Sequence, residues 1–539
     1  MTDDGGPANA PRVLVPEKIA DAGVALLRDA GIVVDERPGL SKDELLEIIG
    51  GYEGLIVRSA TKVTKEVIDA GGRLQVVGRA GIGVDNVDVD AATRRGIVVL
   101  NTPQGNIVST AEHTVAMILA LAKKIPAANA SLKSGEWAKS KFMGTELQDK
   151  TLGIIGFGRV GTLVAQRCHG FGMHVIARDQ FVAPQRFQRA GVEQVELDEL
   201  FERADVISMH VVMTPETRHM VGEAELEKCK PGVLIVNASR GGVIDEDALA
   251  RAIKAGKVGG VGLDVFETEP LTASPLFDLD EVVVTPHIAG QTAEAQDKAG
   301  VIAAEQVLLA LRGEFVPNAV NLDASGELSE FLRPFLPLAS KLGRMAGALA
   351  GDKVSEIEVS YLGQVGEEDT RVLTLSVLRG FLQPALHEPV TYVNAPILAA
   401  DRGIGYAERK SAAPEEYVNL VRVTVRREGS PVTVAGILAR KANVPQLVEV
   451  DGRTLAIDFS RYMFLIRYED KPGVIHKMSG PLADAGIGIK NMHVGEPPPG
   501  EQDAISVLSV DKPIPPDLFE QMIKGAGISS GRFVSLDGD

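Results

Sequence analysis

The stretch KTLGIIGFGRVGTLVAQRCHGFGMHVIAR, residues 150–178, contains a short apolar run, a glycine-rich turn, a helical pattern and a second apolar run. The first run, 152–155, is apolar on both faces, which is typical of a strand in a parallel sheet. Gly156, Gly158 and Gly161 follow it with the spacing G-x-G-x-x-G. The first glycine permits a tight turn, the second lets backbone N–H groups approach a pyrophosphate, and the third lets helix and strand pack closely. The pattern predicts a strand, a turn, a helix and a strand, with a dinucleotide at the helix N-terminus.

Asp179 stands where the second strand is predicted to end. A carboxylate at this point can accept hydrogen bonds from the adenosine ribose and repels a 2′-phosphate, so it favours NAD over NADP. The adjacent Arg178 favours NADP instead, because an arginine can hold a 2′-phosphate. A lone G-x-G-x-x-G can arise by chance in a chain with 57 glycines. The strand, turn, helix, strand and acid in this order favour a real dinucleotide site.

The composition is that of a long, acidic globular protein. A length of 539 residues exceeds what one core can hold and predicts about three or four domains. The formal charge of -17 argues against general nucleic-acid binding, which normally requires a basic patch. Cys168 and Cys229 are the only cysteines, and they suggest neither a disulfide framework nor a metal centre. Residues 1–11 are expected to form a disordered tail rather than a signal peptide, and no apolar run approaches the roughly 20 residues of a membrane span. We therefore predict a cytoplasmic protein with no membrane or metal partner.

Residues 12–105 alternate short apolar runs with amphipathic helical patterns, which predicts a second parallel α/β sheet. Arg58 and Arg79 each follow one of these apolar runs. Ligands of parallel sheets bind where the strands end. Either arginine alone is better explained by a surface ion pair, but two arginines at equivalent strand ends favour an anion site.

Three further apolar runs beyond the glycine turn end in Arg240, Glu269 and His287. This combination suits hydride transfer from a secondary alcohol, because His287 can take the hydroxyl proton and a carboxylate can orient the ring. Arg240 can hold a substrate carboxylate and polarise the reacting carbon–oxygen bond. Each residue has a structural alternative, since His287 could cap a loop and Arg240 could pair with Asp245. The three residues together favour catalysis.

Two further patterns concern local structure and assembly. The sequence TPETR, which starts at Thr214, predicts a helix cap followed by a helix that spans 216–228. The only tryptophan, Trp137, lies among lysines and is a candidate subunit contact.

The motifs NTPQGN, GIIGFGRVG, TPETR, NASRGGVIDE, GLDVFETEP and TPHIAGQTAEAQ occur in the order seen in the D-isomer-specific 2-hydroxyacid dehydrogenases, and the chain resembles that family over essentially its whole length. Within the family, RSATKV, GRAGIGVDNVD, KFMGTEL and the C-terminal extension most resemble the branch that oxidises 3-phospho-D-glycerate with NAD. The resemblance implies three catalytic residues, Arg240, Glu269 and His287. It implies a set of cofactor contacts, Gly156, Gly158, Arg159, Val160, Gly161, Asp179, Ser239 and Asp264. It also implies a set of substrate contacts, Arg58, Ser59, Arg79 and Asn106.

The resemblance implies an α/β protein in which a Rossmann-type NAD-binding domain (106–289) is inserted in a flavodoxin-like substrate domain (12–105 and 290–317). An α+β intervening domain (318–458) and a ferredoxin-like ACT regulatory domain (459–539) are expected to follow. The expected activity is the first step of L-serine biosynthesis in a homo-oligomer, a dimer or tetramer. Two alternatives remain open, namely a dehydrogenase of another D-2-hydroxy acid such as 2-hydroxyglutarate, and a non-catalytic NADH-sensing scaffold.

The C-terminal segment departs from the ACT pattern at two positions. Gly488 stands where that family usually has an asparagine that binds the amino-acid ligand, and His476 replaces a small glycine. Asn491 is three residues further along the strand, and a shift of three reverses the face that a side chain presents. We expect the segment to pair subunits while L-serine inhibits weakly or not at all.

Overall fold

The structure is a computed structural model that describes residues 10–322, 328–351, 353–386, 389–469, 471–495, 503–525 and 528–536. The expected disordered tail falls on 1–11, and nine of its residues, 1–9, lie outside the described part.

The first sheet has five parallel strands. They are β1 (Arg12–Val15), β2 (Val33–Glu36), β3 (Gly54–Val57), β4 (Val76–Arg79) and β5 (Val98–Leu100). The helices between them are α1 (Asp21–Asp29), α2 (Lys42–Ile48), α3 (Lys65–Ala70) and α4 (Val89–Arg94). The strand order β2-β1-β3-β4-β5 is that of flavodoxin, which confirms the expected fold of this lobe.

The second sheet has seven parallel strands and is reached through two helices, α5 (Ile107–Ala122) and α6 (Ile125–Lys133). Its strands are β6 (Thr151–Ile155), β7 (His174–Arg178), β8 (Glu193–Gln194), β9 (Val206–Met209), β10 (Val233–Asn237), β11 (Val258–Leu263) and β12 (Val282–Val284). Its helices are α7 (Arg159–His169), α8 (Pro184–Arg189), α9 (Leu197–Arg203), α10 (Glu223–Lys228) and α11 (Glu246–Lys254). The order β12-β11-β10-β9-β6-β7-β8 is the Rossmann order with one added strand.

The chain then returns to the first lobe through α12 (Ala293–Leu311). This helix packs closely on the first sheet, because a Cβ atom added at Gly78 of β4 would lie 2.8 Å from Val307 Cγ2. It also packs closely on α1, where a Cβ atom at Gly23 would lie 2.7 Å from the carbonyl oxygen of Gly300. The first lobe is therefore built from two separate stretches of chain.

The remaining residues form two further units. The first contains a mixed six-stranded sheet, β13 (Val354–Gly363), β14 (Gly405–Ser411), β15 (Asn419–Arg427), β16 (Val432–Ala439), β17 (Val444–Val450) and β18 (Arg453–Asp458), with helices α13 (Phe335–Ala350), α14 (Arg371–Leu382) and α15 (Ala395–Asp401). The second has the order β19 (Tyr462–Glu469), α16 (Val474–Asp484), β20 (Ile489–Gly495), β21 (Asp503–Val510), α17 (Pro516–Gly525) and β22 (Ile528–Ser535). Its antiparallel sheet has the ferredoxin-like order β20-β21-β19-β22.

The helix predicted over 216–228 is wrong in its first half, because α10 begins only at Glu223. The residues before it form a tight turn in which Thr217 Oγ1 donates to the carbonyl oxygen of Val212 at 2.6 Å. His219 follows with a φ of 50°, in the left-handed region that no helix continues through. Thr214 therefore caps a turn rather than a helix.

Within the described ranges, no single helix is long and apolar enough to cross a membrane. Helices α5 and α6 have the length and hydrophobicity of a membrane span only when taken together, and the chain bends by 63° between them.

Candidate active site

The glycine-rich turn lies between β6 and α7, and its three glycines have different surroundings. Gly156 has a φ of 94°, so the chain turns there through a conformation that favours glycine. A Cβ atom at Gly161 would overlap the carbonyl oxygen of Gly156, so this position holds helix and turn together. A Cβ atom at Gly158 would meet nothing within 4 Å, so the turn leaves open space in front of the helix. The amides of Arg159 and Val160, the first two residues of α7, belong to the first helical turn, where N–H groups have no intrahelical acceptor.

Asp179 follows β7 directly, and its carboxylate binds the backbone of the glycine turn. Its Oδ2 accepts from the amide of Phe157 at 2.8 Å and its Oδ1 accepts from the amide of Phe181 at 2.9 Å. Arg178 forms an ion pair with Glu196 at 3.2 Å instead of remaining free for a 2′-phosphate. This pair removes the one sequence feature that favoured NADP.

His287 and Glu269 form a short hydrogen bond, with 2.6 Å between His287 Nδ1 and Glu269 Oε2. The other oxygen of Glu269 accepts from the amide of Phe266 at 3.0 Å, which fixes the carboxylate. The His287 side chain is 51% exposed. Among the described residues, its Nε2 has no hydrogen-bond partner, so this nitrogen is left for a ligand or solvent.

Asp264 is fully buried and organises the backbone that carries His287. Its carboxylate accepts hydrogen bonds from the amides of Ile288 and Ala289, each at 2.8 Å. It also accepts from Thr285 Oγ1 at 2.5 Å. His287 itself has a φ of 53°, a conformation that non-glycine residues seldom adopt unless the surroundings impose it. The hydrogen bonds to Asp264 supply that constraint.

Arg240 extends from the end of β10 across to the first lobe. A Cβ atom added at Gly83 would lie 3.3 Å from Arg240 Nη2, so the guanidinium group lies against the loop that follows β4. The turn that carries it is held by Asn237, whose Nδ2 donates to the carbonyl oxygen of Arg240 at 2.8 Å. Ser239 uses its hydroxyl within the same turn, where it donates to Asn237 Oδ1 at 2.8 Å.

Arg79 and Asn106 each have a buried polar atom without a hydrogen-bond partner in the described structure, Nε of Arg79 and Oδ1 of Asn106. Buried polar atoms are normally satisfied, so these two suggest a missing ligand. Burial lowers the pKa of Arg79, and the neighbouring charge of Arg240 lowers it further. Asn106 lies against Gly290, where an added Cβ atom would overlap its amide. The unpartnered atoms thus lie beside Arg240 and near the end of the His287 loop.

Arg58 and Ser59 follow β3, next to the strand that ends in Arg79. The Ser59 side chain is exposed. Arg58 Nη1 donates only a long hydrogen bond, 3.4 Å, to the carbonyl oxygen of Lys18. Strand order therefore brings the two predicted arginines to adjacent strand ends.

Comparison with known proteins gives two family matches and several close relatives. The NAD binding domain of the D-isomer specific 2-hydroxyacid dehydrogenases matches residues 115–289, and the D-3-phosphoglycerate dehydrogenase intervening domain matches residues 331–451. The D-3-phosphoglycerate dehydrogenase of Mycobacterium leprae is 43% identical over 98% of this chain and 99% of its own length. The protein of the same name from Mycobacterium tuberculosis H37Rv is 45% identical over 94% of this chain and 96% of its own. The chain belongs to the D-3-phosphoglycerate dehydrogenase family.

A solved structure supports the fold of the catalytic part. A glyoxylate reductase from Paecilomyes thermophila is 31% identical, has a TM-score of 0.53, and matches 58% of this chain and 98% of its own. It is thus similar to only part of this D-3-phosphoglycerate dehydrogenase family member.

NAD is the cofactor, as the matched NAD binding domain indicates. The glycine turn fits it, because the open space at Gly158 lies in front of the α7 amides that would receive a pyrophosphate. Asp179 stands where the ribose hydroxyls are bound in this fold. This family member therefore has an open glycine turn, followed one strand later by an acid, as this fold uses for NAD.

Sequence patterns missed several residues that shape the site of this family member. His113 is one, since its Nε2 lies 3.0 Å from Thr285 Oγ1 and 3.5 Å from Asp264 Oδ1. His210 is another, because burial lowers its pKa to about 4 and keeps the ring neutral beside Gly156. The only sequence signal for His210 is its position at the end of an apolar run, where ligands of parallel sheets bind.

Proposed function

We propose that this protein oxidises 3-phospho-D-glycerate to 3-phosphooxypyruvate with NAD, the first step of L-serine biosynthesis. The observation that carries the proposal is the pair of His287 and Glu269, with Nε2 of the imidazole left without a partner among the described residues. A histidine held in this way can take the proton of the substrate hydroxyl.

Each of the three predicted catalytic residues has a part in this proposal. NAD, held at the glycine turn and Asp179, would supply the hydride acceptor for the substrate carbon. His287 takes the hydroxyl proton, and Glu269 fixes the ring and stabilises the imidazolium that results. Arg240 binds the carboxylate of the substrate and polarises the reacting bond.

The predicted substrate contacts would bind the far end of the molecule. Arg58, Ser59 and Arg79 would bind the distal phosphate, and the unpartnered amide oxygen of Asn106 would accept from the substrate. These arginines could hold a second carboxylate instead, so D-2-hydroxyglutarate is the substrate to compare. A non-catalytic NADH sensor would not need the pair of His287 and Glu269.

We also infer an oligomer, a dimer or tetramer, in the cytoplasm. Three apolar side chains near α6 support the oligomer, because Trp137 is 84% exposed, Met143 is 82% exposed and Leu132 is 57% exposed. The βαββαβ order of the C-terminal unit supports its assignment as an ACT domain, with L-serine as a weak ligand at most.

The test measures the appearance of NADH with a panel of D-2-hydroxy acids that includes 3-phospho-D-glycerate and D-2-hydroxyglutarate. His287→Ala should lower kcat by about 10²–10⁴-fold and leave NAD affinity nearly unchanged. His174→Ala is the matched control, because His174 is exposed on β7. Near-normal turnover of His287→Ala would show that His287 does not take the hydroxyl proton. A preference of the wild type for another acid would contradict the assignment of 3-phospho-D-glycerate as the substrate.

A further inference from the structure

The turn that carries Arg58 and Ser59 is held by a carboxylate from a different loop. Glu17, between β1 and α1, accepts hydrogen bonds from three backbone amides of residues 58–61. Its Oε1 accepts from the amides of Arg58 and Thr61, each at 2.9 Å, and its Oε2 accepts from the amide of Ala60 at 3.2 Å. One side chain therefore satisfies three of the four N–H groups of this turn.

The carbonyl groups of the same turn are held from the opposite side by Asn86. Its Nδ2 donates to the carbonyl oxygen of Arg58 at 2.8 Å and to that of Thr61 at 2.7 Å. Both protons of one amide group are thus used to fix the first and last residues of the turn. Glu17 and Asn86 together define the backbone conformation of 58–61.

These contacts leave only a few polar groups of the turn for a ligand. Within the described part of the chain, the amide and hydroxyl of Ser59 have no hydrogen-bond partner. The guanidinium of Arg58 has only its long contact with Lys18. The amide, hydroxyl and guanidinium donors left over are the kind that bind a phosphate or a carboxylate.

The charge of Glu17 is unusual at this place, because the proposed ligand is an anion. Burial raises the pKa of Glu17, but the hydrogen bonds from Thr61, Arg58 and Ala60 outweigh it and the net effect is a lowered pKa. Glu17 is therefore an anion at neutral pH. The nearby Arg79 is under the influence of several charges: Glu17 and Asp85 raise its pKa, whereas Arg240 and Arg58 lower it.

We propose that Glu17 and Asn86 are positioning residues, which hold the turn 58–61 in the one conformation that presents Arg58 and Ser59 to the distal anion of the substrate. The inference deepens the proposed function and rests on it. It assigns to Glu17 a role through backbone geometry rather than through charge.

Substitution of Glu17 by glutamine separates these two effects because they have opposite signs. Loss of a negative charge near an anionic substrate should by itself strengthen binding and lower KM. Loss of an acceptor should release amides of the turn, since a glutamine side chain has one oxygen where glutamate has two, and this should raise KM. The sign of the change in KM therefore decides between them.

The experiment measures kcat, the KM for 3-phospho-D-glycerate and the KM for NAD on the full chain. Glu17→Gln and Asn86→Ala should each raise the KM for the acid by about tenfold, with kcat and the KM for NAD within about twofold of wild type. Glu47→Gln is the matched control, because Glu47 is exposed on α2 of the same lobe. Thermal melts of all variants establish that they are folded.

Two outcomes would overturn the proposal. In the first, the KM of Glu17→Gln for the acid falls or stays unchanged, whatever its melting temperature. In the second, Asn86→Ala binds the acid as wild type does. The proposed function is judged separately by the wild-type enzyme. If wild type prefers a different D-2-hydroxy acid, the same KM ratios are measured with that acid, so the two ideas fail independently.

Discussion

At the scale of single residues, three acids of the site act on the backbone rather than on arginine or lysine. Glu17 holds the turn 58–61, Asp179 holds the amide of Phe157, and Asp264 holds two amides after His287. Charge-assisted hydrogen bonds of this kind are among the stronger ones in proteins. Each acid follows a strand of a parallel sheet, so the backbone of the site is fixed where the ligands bind.

Asp179 is expected to set the choice of cofactor. Asp179→Ala should raise kcat/KM with NADP relative to NAD, because it removes the charge that repels a 2′-phosphate. Adding Glu196→Ala should raise the ratio further, since it frees Arg178 from its ion pair. Steady-state kinetics with both cofactors checks this, with Glu196→Ala alone as the control. A wild type that already prefers NADP would contradict the assignment.

The residues of the site differ in how far the sequence could predict them. Arg240, Glu269 and His287 end apolar runs, and the structure joins two of them directly. Their roles stay predictions. Glu17 and Asn86 gave no signal, because a side chain that binds backbone amides or carbonyls needs no particular partner residue elsewhere in the sequence.

At the scale of elements, the turn between β6 and α7 distinguishes two glycines that look equivalent in the sequence. Gly158 has open space around it and a φ of -73°, which any residue can adopt. Gly161 has the carbonyl oxygen of Gly156 against it. The missing side chain at Gly158 leaves space for the cofactor, whereas the missing side chain at Gly161 lets the backbone of the turn pack against the helix.

This difference predicts that two alanine substitutions affect stability differently. Gly158→Ala should keep the wild-type melting temperature and weaken NAD binding by about tenfold or more, because the new methyl group occupies the space of the pyrophosphate. Gly161→Ala should lower stability by about 1–3 kcal/mol as well, because the methyl group overlaps backbone. Thermal melts and NAD titrations of both variants provide the measurement. Equal melting temperatures would show that the helix can shift without cost.

Element types were more predictable than element boundaries. The Rossmann and flavodoxin-like sheets are confirmed, because apolar runs separated by helical patterns specify a parallel sheet. The helix predicted from Glu216 was wrong, because the local hydrogen bonds of Thr217 and the left-handed His219 outweighed helix propensity. Such side chain to backbone bonds are not visible as a periodicity.

At the scale of the whole molecule, the C-terminal sheet packs one face on its own helices and the other on the preceding unit. Met463 and Leu465 of β19 share a buried cluster with residues of α13, while Phe464 faces α17. In this unit, the carboxylate of Asp511 lies against the exposed Gly488. The amide of Gly488 donates to Asp511 Oδ1 at 2.8 Å, and an added Cβ atom would lie 2.9 Å from Asp511 Oδ2.

We therefore expect L-serine to inhibit weakly or not at all. The carboxylate of Asp511 occupies the space beside Gly488, and the carboxylate of a bound amino acid would meet a like charge there. Titration of L-serine into the NADH assay measures this, with Asp511→Ala as the variant that should respond more strongly. Inhibition of wild type at micromolar serine would show that Gly488 and His476 do not disable the site.

The divided first lobe has a consequence for the order in which the protein can be completed during synthesis. The strands of the first sheet end with β5 at Leu100, but the helix that covers its glycine-bearing face, α12, begins only at Ala293. All seven strands of the NAD-binding sheet lie between these points in the sequence. As a ribosome makes the chain, the second sheet therefore has all its strands while the first still lacks Val307 against Gly54 and Gly78. The lobe that is made first must therefore wait to cover one face of its sheet, while the other face is already covered by α2, α3 and α4.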